Sequence, residues 1–199
     1  MRYQNQLSRI RVKLDQLRSL DTSFGIGQAS VHRYELNPPA PNATVTELEK
    51  IHKVSLPDDY RLFVTAFGNG GAGPDYGLFT IEESFADHLH PGLPFPYESA
   101  MRVPYSDDQT EEDVKQLGAF FADSCNNYGK LVIGEMGCGI MIDLVVNGPS
   151  KGQVWIDDRT YEWGGLYPYD QFDTTQPLRF LDWYEMWLDQ ALSHFDRLG

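Results

Sequence analysis

Leu7, Ile10, Leu14 and Leu17 recur at spacings of three and four, with Lys13, Asp15, Gln16 and Arg18 between them. A period near 3.6 puts the four on one stripe, so an amphipathic helix is expected over about residues 4–20. Gly25 and Gly27 break it. The run Asn-Pro-Pro-Ala-Pro-Asn at 37–42 reads as a linker, because proline donates no backbone hydrogen bond and stiffens the chain. Thr44 and Glu47 have the spacing of a capping box, which predicts a short helix carrying Leu48 and Ile51 on its inner face. Pro57 opens the next helix, and Asp58 and Asp59 complement its positive end. Leu62, Phe63, Ala66 and Phe67 form the expected buried stripe, and Gly68 stops it.

Beyond that point the period shortens. Residues 78–81, 131–133 and 140–146 are β-prone runs. Gly148-Pro149 marks a turn, and residues 153–156 return as a hairpin partner, which requires antiparallel pairing. Near the end, Phe180, Leu181, Tyr184, Trp187, Leu188 and Leu192 make a wide apolar face on a helix over about 178–194. Asp182, Glu185, Asp189 and Gln190 are expected to point away from that face. The order of elements implies one α+β domain, an antiparallel or mixed central sheet flanked by N- and C-terminal helices. Residues 1–43 read as a helix and linker elaborating a domain formed by 44–199. Residues 89–110 carry Pro91, Pro94, Pro96 and Pro104 without periodicity, and so long an irregular stretch is functional or mobile.

Charge narrows the partners. Sixteen Lys and Arg against 29 Asp and Glu give 16 − 29 = −13. Such a surface repels phosphate backbones and anionic membranes, so neither nucleic acid nor a membrane is expected as partner. A basic protein is favoured instead, drawn in by electrostatic steering. Cys125 and Cys138 have no zinc-type spacing and suit a reducing compartment. The start leads into charged residues, not the apolar core of a signal peptide, and no run approaches the ~20 apolar residues of a membrane span. The expected location is the cytoplasm.

Four features could carry chemistry. The glycine-rich run at 68–74 follows a helix, precedes a strand and has no lysine nearby, so a tight turn accounts for it better than a phosphate cradle. Asp87, His88 and His90, with Glu82 and Glu83, would be the ligands of a metal-dependent hydrolase, but a specific site needs three or four converging groups. Adjacent carboxylates such as Asp157 and Asp158 point to opposite faces of a strand, which weakens them as an acid–base pair. Cys138 between two glycines has no base assigned to it by the sequence. No catalytic residue and no cofactor is therefore expected.

The run Leu56-Pro57-Asp58-Asp59-Tyr60-Arg61-Leu62-Phe63, the loop at 68–74 and Tyr76-Gly77-Leu78 together resemble the signature of the SUKH superfamily, in its Smi/Knr branch. Residues 129–134 with Gly139 and Asp143 are similar to that family's central hairpin, and 152–155 to its next strand. The resemblance covers about residues 44–192 and implies a non-catalytic α+β domain, in many bacterial members an immunity protein that binds a cognate toxin. A regulatory scaffold of cell-wall synthesis is the alternative it carries. Acidic and aromatic loop residues are the expected partner contacts: Asp75, Tyr76, Glu82 and Glu83 after the glycine loop, and Asp157, Asp158, Tyr161 and Trp163 after the last hairpin strand.

Overall fold

The computed structural model describes residues 2–86, 88–102, 110–160, 164–172 and 174–197. The first helix, α1 (Arg2–Leu20), buries Leu7, Ile10, Leu14 and Leu17, as their spacing requires. A four-residue turn of helix, α2 (Ala29–His32), follows. The next helix, α3 (Asn42–Ile51), begins two residues before Thr44, with Pro41 at its N-cap and no side-chain cap. The expected Thr44 capping box is absent because the helix has already started at Asn42. Ile51 is 61% exposed, so only part of this helix faces inward. Pro57 caps α4 (Asp58–Ala66), which buries Tyr60, Phe63 and Val64, while Ala66 lies outside.

Residues 78–81 do not form the expected strand. Leu78 makes only isolated bridges to Gly71 and Gly134, and Thr80 caps a one-turn helix, α5 (Ile81–Ser84). The Thr80 hydroxyl accepts from the Glu83 amide and the Glu83 carboxylate accepts from the Thr80 amide. That local pairing outcompetes the β propensity of four apolar-rich residues. A second capping box, Thr110 with Asp113, opens α6 (Glu111–Ala122), a helix the sequence reading missed.

The sheet holds β1 (Met101–Arg102), β2 (Lys130–Gly137), β3 (Ile140–Val145), β4 (Val154–Asp157) and β5 (Gly165–Pro168), in spatial order β1-β5-β4-β3-β2. Every pairing is antiparallel, as the short turns demand. With N- and C-terminal helices around this sheet, the chain is a single α+β domain.

The two faces of the sheet differ. Leu131, Ile133, Ile142, Leu144, Val154 and Ile156 project into the main core, where they meet α1, α4 and α7 (Phe180–Asp196). Val145, Trp155 and Leu166 project the other way, into a small cluster closed by Phe95. Phe95 meets Trp155 edge-on at 4.8 Å and is 1% exposed. The proline-rich stretch is thus, in its described part, the cover of the second sheet face. Residues 103–109 lie outside the described residues.

The outermost pair of helices is joined by a polar seam. Gln6 Nε2 donates to Asp182 at 2.9 Å, Arg9 to Glu185 at 2.8 and 2.9 Å, and Lys13 to Glu185 and Asp189 at 2.9 Å each. Partner numbers rise together along both helices, so α1 and α7 run parallel. Glu185 is therefore buried, contrary to its expected outward position, because the polar flank of α7 is where α1 docks.

Candidate partner-binding surface

The carboxylates expected to meet a partner at the end of β4 are engaged internally. Asp157 is 8% exposed. Its carboxylate takes Lys130 Nζ at 2.5 Å and Arg159 through Nε at 2.7 Å and Nη2 at 2.6 Å. Lys130 Nζ also donates to Asp143 at 2.6 Å, and both of these residues are at most 1% exposed. Arg159 reaches on to Asn127 Oδ1 at 2.9 Å and to the Phe121 carbonyl at 3.2 Å, tying α6 to the sheet. Register explains the cluster: Met141 pairs with Asp157 and Val132 with Asp143, so Lys130, Asp143 and Asp157 share the second face.

Burial pushes the Asp143 carboxyl up to about 6, against the pull of Lys130. Burial also acts upward on Asp157, but Arg159 and Lys130 outweigh it and hold that carboxyl below its ordinary value. Among the described residues, Asp143 Oδ1 has no hydrogen-bond partner. Asp158 accepts from the Tyr167 hydroxyl at 3.3 Å and is raised mainly by burial. Tyr161 and Trp163, the aromatic part of this expected patch, lie outside the described residues. Lys130, Asp143 and Arg159 were not singled out from sequence. A lone aspartate inside the apolar run 140–146 was the available signal, since a charge there needs a partner.

The glycine loop is a piece of framework. Gly71 N donates to Leu78 O at 2.8 Å, Leu78 N returns to Gly71 O at 2.7 Å, and Ala72 N donates to Glu35 O at 2.7 Å. These amides are committed to backbone carbonyls and are not free to hold a phosphate. Gly70 and Gly71 have φ of 84° and 97°, and a Cβ at Gly71 would lie 2.4 Å from Glu35 O. Asn69 closes the loop onto α5, donating to Glu82 at 2.9 Å and accepting from the Ile81 amide at 2.7 Å. Glu82 and Glu83 are exposed, one bound to Asn69 and the other capping α5.

Asp75 and Tyr76 leave the loop at a different surface. Asp75 stands at φ 49°, half-buried, and burial raises its carboxyl. Among the described residues its side chain has no hydrogen bond and no ion pair. It lies on the wall of a cleft of about 590 Å³ together with Ile26, Met136, Tyr169, Phe172 and Trp187. Tyr76 is 38% exposed and leans on the β2–β3 turn, where a Cβ at Gly137 would lie 3.1 Å from its ring. On the other side of that turn a Cβ at Gly139 would lie 2.8 Å from Thr160. The hairpin tip, with exposed Cys138, thus joins the surface of Asp75 and Tyr76 to the segment after β4.

His88 and His90 are separated. His88 lines a hollow of about 260 Å³ beside Lys130, Asp157 and Arg159. His90 lines another hollow, beside His52 and Lys53, and meets the Tyr128 ring edge-on at 5.6 Å. Asp87 lies outside the described residues. Among the described residues, no three of His, Cys, Asp or Glu converge as metal ligands would. Likewise among them, no helix is long and apolar enough to cross a membrane.

The fold and these motifs belong together in one family of domains. The family model described as the SMI1 / KNR4 family (SUKH-1) matches residues 39–175, and the chain belongs to this family. The match takes in the glycine loop, α5, α6 and the whole sheet, and leaves α1 and α7 on either side. Comparison with curated proteins and with solved structures gives no match.

Proposed function

We propose that this protein is a non-catalytic binding protein, an immunity protein that captures and neutralises a basic toxin made by the same or a sibling bacterium, a nuclease being the type its charge suits. Membership of the SMI1 / KNR4 family carries the reading. The net charge of −13 supports it from physics alone. A nuclease offers a basic surface to nucleic acid, and an acidic protein competes for that surface. The shifted carboxylates Asp143, Asp157 and Glu185 are held in ion pairs inside the fold, which fits structural service. Two free cysteines suit action in the cytoplasm, where thiols stay reduced.

The test is genetic and then physical. The gene beside this one should encode a large secreted protein ending in a basic domain. Co-expression of the chain with that domain should restore growth, and the purified pair should associate more weakly as salt rises. A neighbouring toxin domain that kills equally with and without the chain would refute the proposal.

A further inference from the structure

We propose that the cleft walled by Asp75, Tyr169, Phe172 and Trp187 is a socket for one arginine side chain of the partner. The inference rests on the reading of the partner as a basic protein. It adds which of the partner's groups is taken and where.

Three observations carry it. The first is the state of Asp75. A half-buried carboxylate normally finds a donor, yet this one has none among the described residues. An incoming cation would supply the missing charge-assisted hydrogen bonds. The second is the wall chemistry. Aromatic side chains with Ile26 and Met136 suit a flat, weakly hydrated guanidinium and its aliphatic stem better than a compact ammonium. The third is size and rigidity. At about 590 Å³ the cleft is within the range of ligand sites, and Tyr169, Phe172 and Trp187 are each at most 9% exposed, so its floor is packed in place.

The cations at the rim do not fill the role. Arg197 is turned back on its own helix, donating through Nε to Ser193 O at 3.2 Å and through Nη2 to Ser193 Oγ at 3.3 Å. His194 is exposed and meets Phe195 edge-on at 5.7 Å. The cleft has walls from both inside and outside the family match, since Asp75, Met136 and Tyr169 lie within residues 39–175 and Ile26 and Trp187 beyond them.

The experiment uses the intact chain and small probes in place of the partner. Blocked arginine (Nα-acetyl, C-terminal N-methylamide) is titrated into isotope-labelled protein and followed by NMR, with equally blocked citrulline as the neutral isostere. The expected result is saturable movement of the Asp75 amide and the Trp187 indole signal with arginine, at least tenfold weaker with citrulline. Asp75→Asn should abolish the difference, and asparagine tolerates the left-handed backbone, so the variant keeps the loop. Equal response to both probes, or arginine shifts confined to other surfaces, would overturn the socket. If a basic partner binds while blocked arginine fails here, the socket alone is lost. If arginine binds here and the neighbouring toxin is not recognised, the neutralisation reading is lost and the socket stands.

Discussion

Lys130 is an ammonium taken almost wholly out of water, which is tolerable only with its two carboxylates in place. Lys130→Met should therefore cost about 3–5 kcal/mol in denaturant unfolding, the usual range when one member of a buried pair is removed. Adding Asp143→Leu should recover part of that, since Asp157 keeps Arg159. Equal stability of Lys130→Met and the native chain would show the cluster to be wet. A second residue sets a pH dependence. His32 accepts the Tyr34 amide at 3.1 Å and lies edge-on to Trp187 at 6.2 Å. Burial lowers its pKa to about 4 from 6.5, against an opposing hydrogen bond to Gly73. Below pH 6.5 the unfolded chain takes the proton first, so this contribution is full above 6.5 and is lost toward 4. At about 1.4 kcal/mol per pKa unit, and with the shift discounted because the ring is partly exposed to solvent, the loss is on the order of 1–2 kcal/mol. Asp143, raised to about 6, acts oppositely over part of that window, so the comparison is with His32→Gln. Stability measured at pH 7 and 4.5 should fall less in the variant than in the native chain. Of the buried ion pairs only Asp143 left a trace in sequence, as a charge inside an apolar run, and its partner was not legible because that depends on register between strands.

Helix and strand signals were legible where one face dominated. The stripe Leu7-Ile10-Leu14-Leu17 and the face of α7 came directly from spacing. Ambiguity arose where a short run fits two structures, as at 78–81, or where a capping pattern lay inside a helix already begun, as at Thr44. Thr80 and Thr110 carry the same pattern and do cap, because each is itself extended, at ψ of 160° and 162°, and sits immediately before the first helical residue. Of the candidate site, Glu82 and Glu83 lie exposed, Asp75 is half-buried and Asp157 is buried, a spread of depth that sequence does not give. The loop itself allows a sharp test. Gly71→Ala must hold φ near 97° and place a Cβ 2.4 Å from Glu35 O. The strained backbone alone should cost about 1–3 kcal/mol, and the close contact more. A melting temperature unchanged in Gly71→Ala would mean that the loop relaxes freely and is not framework.

At the scale of the whole molecule, the excess of 13 negative charges acts before any contact forms. Long-range attraction sets how fast a basic partner arrives, whereas contacts set how long it stays. The two can be separated by where a charge is changed. Reversal of Asp157, inside the fold, would place a third cation against Lys130 and Arg159 and test only stability. Glu98, Glu111 and Glu112 are exposed and lie outside the cleft at Asp75. Changing the three to lysine moves the net charge from −13 to −7, by two units each. This triple variant should associate several-fold more slowly near 10 mM salt, where the screening length is about 30 Å, and converge on the native rate near 1 M, where it is about 3 Å. Its dissociation rate should stay unchanged. Asp75→Asn, a change of one charge, should do the reverse, with nearly native association and dissociation faster by about tenfold, the loss of a charge-assisted contact of about 1.4 kcal/mol. Stopped-flow kinetics at two salt concentrations read both rates in one experiment. If Asp75→Asn slows association as much as the triple variant and leaves dissociation alone, the carboxylate is merely part of the field, and the contact surface lies elsewhere.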